Sequence, residues 1–159
     1  MKFLCEHHRQ QLIGQPDLAL DHWRQWMDKS STLMENSDWR PACNLLGCGF
    51  ELAEWLLDNP QPGQGETLDP VNRYMVTGHQ LAECLGRSGR GDLELHFLLT
   101  VHLRLIDWVK SRRNNFWLLQ QHLRISLAML SRYRLRRGSF KGFYDCCAET
   151  EWYIKLCVN

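Results

Sequence analysis

Trp26-Met27-Asp28-Lys29-Ser30-Ser31-Thr32-Leu33, followed by Ser37-Asp38-Trp39 and Ala42-Cys43-Asn44-Leu45-Leu46-Gly47-Cys48-Gly49, decides the fold. Two stretches with apolar residues at helical spacing meet at a small-acidic-aromatic turn. Ser30, Ala42 and Gly49 stand where two helix backbones need to approach closely. The reading is a helical hairpin.

Outward from it, the chain stays helical in period. A first helix is expected from about Lys2 to Ile13, stopped by Gly14, with Pro16 and Asp17 opening the second in the order of a helix N-terminus. Ser37 or Asp38 caps the third, which runs to about Asp58. Asn59-Pro60-Gln61-Pro62-Gly63-Gln64-Gly65-Glu66-Thr67 excludes regular structure and predicts a flexible linker at about 59–67. Asp69-Pro70 starts helix four, which fades at Arg87-Ser88-Gly89-Arg90-Gly91. Asp92 caps helix five, the polar break Ser111-Arg112-Arg113-Asn114-Asn115 precedes helix six, Gly138 ends it, and Ser139 caps helix seven. No stretch shows the sustained period-two alternation of a half-buried strand.

Three turns repeat a theme: Ser37-Asp38-Trp39, Gly91-Asp92-Leu93 and Gly138-Ser139-Phe140. Seven residues before each stand Ser30, Cys84 and Ser131, all small. The order of Trp, small residue, apolar residue, turn and two further small residues over about residues 23–54 resembles the tetratricopeptide family. The resemblance implies an all-α array, a leader helix plus three antiparallel helical hairpins forming a single domain over 1–159. Turn spacings of 54 and 47 residues, with His96 and Phe143 where the first hairpin has Ala42, leave an irregular seven-helix bundle as the alternative.

The 159 residues suffice for a real core, and seven Trp argue against disorder. No apolar run reaches the roughly 18 residues of a membrane span, since His102, Arg104 and Asp107 interrupt the nearest, so no membrane partner is expected. The start turns polar too soon for a signal peptide. Seven Cys, odd in number and several of them within apolar helical patterns, read as buried thiols in a reducing cytoplasm.

The net charge of +1 hides a strong asymmetry: residues 1–70 carry five Lys or Arg against eleven Asp or Glu, whereas residues 101–141 carry ten against Asp107 alone. This predicts an acidic partner for the second half or head-to-tail contact between copies, unless the two halves neutralise each other within one fold.

Four constellations carry potential chemistry. Cys5, His7 and His8 contain metal-ligand types without the paired spacing of a zinc site, and on a helix only His8 shares a face with Cys5. His79, His102 and His122 fall at similar heights on helices four to six, although His102 amid Leu98, Leu99, Leu105 and Ile106 also reads as a hydrogen-bonded core residue. Cys146-Cys147 predicts one packed and one half-exposed thiol. Arg112, Arg113, Arg124, Arg132, Arg134, Arg136, Arg137 and Lys141 form a basic run suited to carboxylate or phosphate.

No Gly-x-Ser-x-Gly, Walker or dinucleotide motif is present, so no catalysis, cofactor or resident metal is expected. In the tetratricopeptide layout the groove is lined by the first helix of each hairpin, and the resemblance then places Arg24, Met27, Met34, Leu85, Arg132 and Arg136 in it. The expected function is a cytoplasmic, non-catalytic module holding an acidic and apolar segment of a partner protein. The alternatives are a nucleic-acid-associated regulator using the Arg-rich helix over 115–137, with Tyr133 stacking on a base, and a metal- or redox-responsive helical protein.

Overall fold

The computed structural model describes residues 2–59, 69–111 and 116–156, and among them the regular structure is entirely α-helical. Seven helices follow in order: α1 (Glu6–Leu12), α2 (Pro16–Glu35), α3 (Trp39–Asp58), α4 (Asp69–Arg87), α5 (Gly91–Ser111), α6 (Phe116–Arg137) and α7 (Phe143–Leu156). They form two compact units, residues 1–94 and 95–159, the division falling in the first turn of α5. The expected linker at 59–67 lies, from residue 60 onward, outside the described residues.

In the first unit α3 is the central helix, packed against both α2 and α4. Its composition explains the position: ten of its residues, from Ala42 to Leu57, are buried on more than one side. Ser30, Ala42 and Gly49, the expected close-approach positions, are all buried. Beside Gly49 α2 reaches across to α4, where the Trp23 Nε1–H donates to Thr77 Oγ1 at 2.9 Å. A second cluster joins Leu12 of α1, Ala19 of α2 and Leu52 and Leu56 of α3, with Trp23, Trp26 and Trp55 packed against it.

The N-terminal segment departs from expectation. Instead of a helix from Lys2, the chain stays non-helical until Glu6, and its backbone donors go elsewhere: the N–H groups of Phe3 and Leu4 donate to the Glu51 carboxylate, which Arg9 also meets at 3.3 Å. The Phe3 ring lies over Gly47, in the space a Cβ there would occupy. A carboxylate on α3 thus captures the donors that an additional helical turn would have left unsatisfied.

The turn between α2 and α3 closes as a Schellman motif: Asp38 N–H donates to Leu33 O at 2.8 Å and Ser37 N–H to Met34 O at 3.0 Å. It forces Ser37 to φ 62°, a left-handed conformation more comfortable for glycine. The turn after α4 has the same pattern, Arg90 N–H to Leu85 O and Gly89 N–H to Gly86 O, with glycine in the left-handed seat at φ 83°. The counterpart of Ser37-Asp38-Trp39 is therefore Gly89-Arg90-Gly91, two residues earlier than the sequence theme suggests. Asp92 consequently sits inside α5 rather than capping it, and Asp38 at the start of α3 makes no side-chain capping bond. After α6, Gly138 and Gly142 both take positive φ, which moves the start of α7 from Ser139 to Phe143.

Ser37→Gly should therefore raise stability by about 0.5–1 kcal/mol, the relief of left-handed strain less the entropy a glycine adds to the unfolded chain. Gly89→Ala, with nothing within 4 Å to clash, should lose about 1–2 kcal/mol by conformation alone. Urea unfolding of the two variants measures both, and equal signs would defeat the assignment.

The second unit joins α5, α6 and α7 through His102, which is fully buried. His102 Nδ1 lies 3.2 Å from Ser126 Oγ on α6, and Nε2 lies 2.9 Å from Thr150 Oγ1 on α7. A neutral imidazole has one donor and one acceptor nitrogen, so the two hydroxyls satisfy it in full. Leu98, Val101, Leu105, Leu119, Leu123, Leu130 and Phe143 of these helices are buried as well. At the rim Lys110 Nζ meets Glu149 at 2.9 Å, and the Gln120 side chain donates to Ile154 O at 3.0 Å.

Candidate partner-binding surface

The two units carry opposite charge: residues 1–94 hold eight Lys or Arg against fourteen Asp or Glu, and residues 95–159 hold eleven against four. Within the second unit the basic residues concentrate on α6, which has five Arg and no acidic residue.

Burial divides α6 by face. Leu119, Leu123, Ser126, Leu130 and Tyr133 recur at alternating steps of four and three and are buried. The opposite face exposes Gln121, Arg124, Ile125, Ala128, Arg132, Leu135 and Arg136. Ile125 is 42% and Leu135 79% exposed, so two branched apolar side chains stand among three guanidinium groups. Arg136 and Arg137 also face the negative end of the α6 dipole, which favours cations there. Arg134 turns away from the stripe: its guanidinium lies 4.6 Å from the Phe143 ring centroid and donates to Tyr144 Oη at 3.3 Å.

The expected groove residues distribute unevenly. Arg132 and Arg136 are exposed on this one face of α6. Arg24, on α2, is exposed and paired with Asp21 at 3.2 Å. Met27 is only 9% exposed, and its sulfur lies close to the Gly49 position of α3. Met34 is half-buried, and Leu85 is fully buried in the core of the first unit. Leu135 and Ile125 were missed by sequence reading, yet a signal existed: each stands two residues beyond a member of the buried stripe, about 200° around the helix.

Tyr133, read as a base-stacking ring, is instead buried, edge-to-face with Phe140 at 6.0 Å between centroids. Arg112 and Arg113 lie outside the described residues.

Cys5 Sγ and His8 Nδ1 are 3.1 Å apart on an exposed turn. His79 belongs to the first unit, while His102 is committed to its two hydroxyls in the second. Among the described residues no three Cys, His, Asp or Glu side chains come together as a cation site. Burial pushes His102 down from 6.5 to about 4, against a small opposing pull from Glu149, so it is neutral at pH 7. Cys146 is buried and Cys147 half-exposed, as the helical geometry of adjacent residues requires.

A cavity of about 270 Å³ between α1 and the end of α3 is walled by Leu4, Leu12, Leu52 and Trp55, with Arg9 and Glu51 already paired across it. Glu51 in its wall also docks the N-terminal segment through the N–H groups of Phe3 and Leu4. Among the described residues no helix is long and apolar enough to cross a membrane. No family model, no curated protein and no solved structure matches this chain.

Proposed function

We propose that this chain is a non-catalytic, cytoplasmic protein-interaction module with a tetratricopeptide-like stacking of its hairpins, and that it holds an acidic, amphipathic segment of a partner on α6. The observation that carries the reading is the exposed stripe Arg124, Ile125, Ala128, Arg132, Leu135 and Arg136, basic and apolar together with no carboxylate on its helix. Guanidinium forks suit the carboxylates of such a partner, and Ile125 and Leu135 suit its apolar positions. The packing of α3 between α2 and α4 is compatible with the hairpin layout.

An affinity pull-down with the full chain tests it. Reversing Arg132 and Arg136 to Glu should remove the partner while leaving stability within about 0.5 kcal/mol, because exposed charges contribute little to folding. Leu135→Asp should independently weaken the same complex by about 30-fold, the effect of losing one apolar hot spot. Nucleic-acid binding would instead survive Leu135→Asp, disappear with nuclease and fall steeply with salt. Head-to-tail self-association would show as concentration-dependent dimerisation abolished by the Arg reversals. Indifference of every interaction to all three substitutions refutes the α6 surface.

A further inference from the structure

Cys43 and Cys84 are buried on facing helices, α3 and α4, with their sulfur atoms 2.9 Å apart. A disulfide bond is about 0.9 Å shorter than this separation, so less than an ångström of closure separates the two thiols from a covalent bond. We propose that they form an oxidisable dithiol, closed to an intrachain disulfide by a hydroperoxide and reopened by a dithiol reductant.

The surroundings give the two sulfurs different roles. Cys43 retains 8% exposure while Cys84 has none, so an oxidant reaches Cys43 first. Their hydrogen bonds form a relay: the Cys43 thiol donates to the Cys84 sulfur, and the Cys84 thiol donates to Trp39 O at 3.3 Å. When Cys43 ionises, the Cys84 S–H can turn from the carbonyl to the new thiolate. That hydrogen bond, helped by Ser88 and the charge of Arg90 and opposed by burial, holds the Cys43 thiol below its ordinary value. The same partnership and burial push Cys84 upward, so it keeps its proton until the second step.

Among the described residues the other thiols lack this combination. Cys48 is raised by burial and by the nearby Glu51 carboxylate, and its sulfur contacts Phe3 O. Cys146 and Cys147 are both raised, burial being the main cause. Cys5 is exposed and has a histidine, not a second thiol, beside it.

The chemistry balances with hydrogen peroxide as the oxidant. The Cys43 thiolate attacks one peroxide oxygen, the O–O bond breaks, and hydroxide leaves to give a sulfenic acid. The Cys84 sulfur then attacks the Cys43 sulfur, its proton goes to the departing hydroxide, and the S–S bond forms as water leaves. Two thiols lose two electrons, and one peroxide becomes two waters. The bond clamps α3 to α4 and closes the chain between residues 43 and 84, a span that includes the segment 59–67.

The full, reduced chain is treated near neutral pH with one equivalent of hydrogen peroxide, alkylated under denaturing conditions and mapped by peptide mass. The expected product is a Cys43–Cys84 cross-link, with the melting midpoint raised by about 10 °C and returned by dithiothreitol. Cys84→Ser, checked for native helicity, should instead trap a dimedone adduct at Cys43. If that variant does not fold, the wild-type map decides alone. Consumption of Cys5 or Cys147 with Cys43 and Cys84 still alkylatable, or a native Cys84→Ser protein without an adduct at Cys43, overturns the proposal.

Discussion

Acidification from pH 7 to pH 4 should cost about 3 kcal/mol of folding stability through His102 alone. In the unfolded chain the imidazole takes a proton near 6.5, whereas in the folded chain it does so only near 4. Between those values the unfolded state binds one more proton, so stability is fully present above 6.5 and is lost as pH falls toward 4. The full separation is worth about 3.5 kcal/mol, of which about 3 kcal/mol is lost by pH 4, where the folded imidazole is half protonated. The cause is specific: protonation would place a charge between Ser126 and Thr150 in an apolar bundle, where one of the two hydroxyls would have to give up donating to the ring. His102→Gln keeps an amide donor and acceptor without the titration. It should be less stable at pH 7, by about 1–2 kcal/mol, but nearly insensitive to this part of the pH range relative to wild type. Urea titrations of both proteins across the interval provide the check, and parallel pH dependences would sink the argument.

Phe50→Ala should cost about 4 kcal/mol. The ring is 5% exposed and lies against Tyr74 of α4, with centroids 4.9 Å apart and planes inclined by 31°. Truncation loses the transfer energy of the ring, leaves a cavity under Tyr74 and removes an aromatic pair across the α3–α4 interface. Leu135→Ala, which removes a side chain that is 79% exposed, should fall within about 0.5 kcal/mol of wild type. The two together separate a core position from a surface one. A loss below about 1 kcal/mol at Phe50 would mean that this interface does not carry the stability of the first unit.

Much of the helical order was legible from local chemistry. Pro16, Asp69-Pro70 and Gly138 mark helix boundaries because each acts through its own backbone: proline through its locked φ and missing donor, glycine through its access to positive φ. The buried stripe of α6 was not legible in the same way, since apolar residues stand on both faces of the helix and Ser126 lies within the stripe. Of the candidate surface, Arg132 and Arg136 were readable as charge, while Ile125 and Leu135 required knowing which face of α6 turns inward.

The rest depended on partners far away in sequence. Residues 2–4 have helix-compatible chemistry, but Glu51 captures the N–H groups of Phe3 and Leu4 from 48 and 47 residues away. Met27 had an amphipathic helix to sit on, yet only the approach of α3 at Gly49 decides that it points inward. His102 remained open between ligand and core residue until Ser126 and Thr150 were brought to its two nitrogens. Cys43 and Cys84, separated by a segment rich in Pro and Gly, carry no local sign that their sulfurs meet. Backbone preference and hydrophobic period are properties of neighbours along the chain, and the sequence by itself determined what they control: seven helices and where most of them stop. Hydrogen-bond partners, the neutral state of a histidine and the pairing of two thiols are properties of neighbours in space, and only the packing of one helix on another decided them.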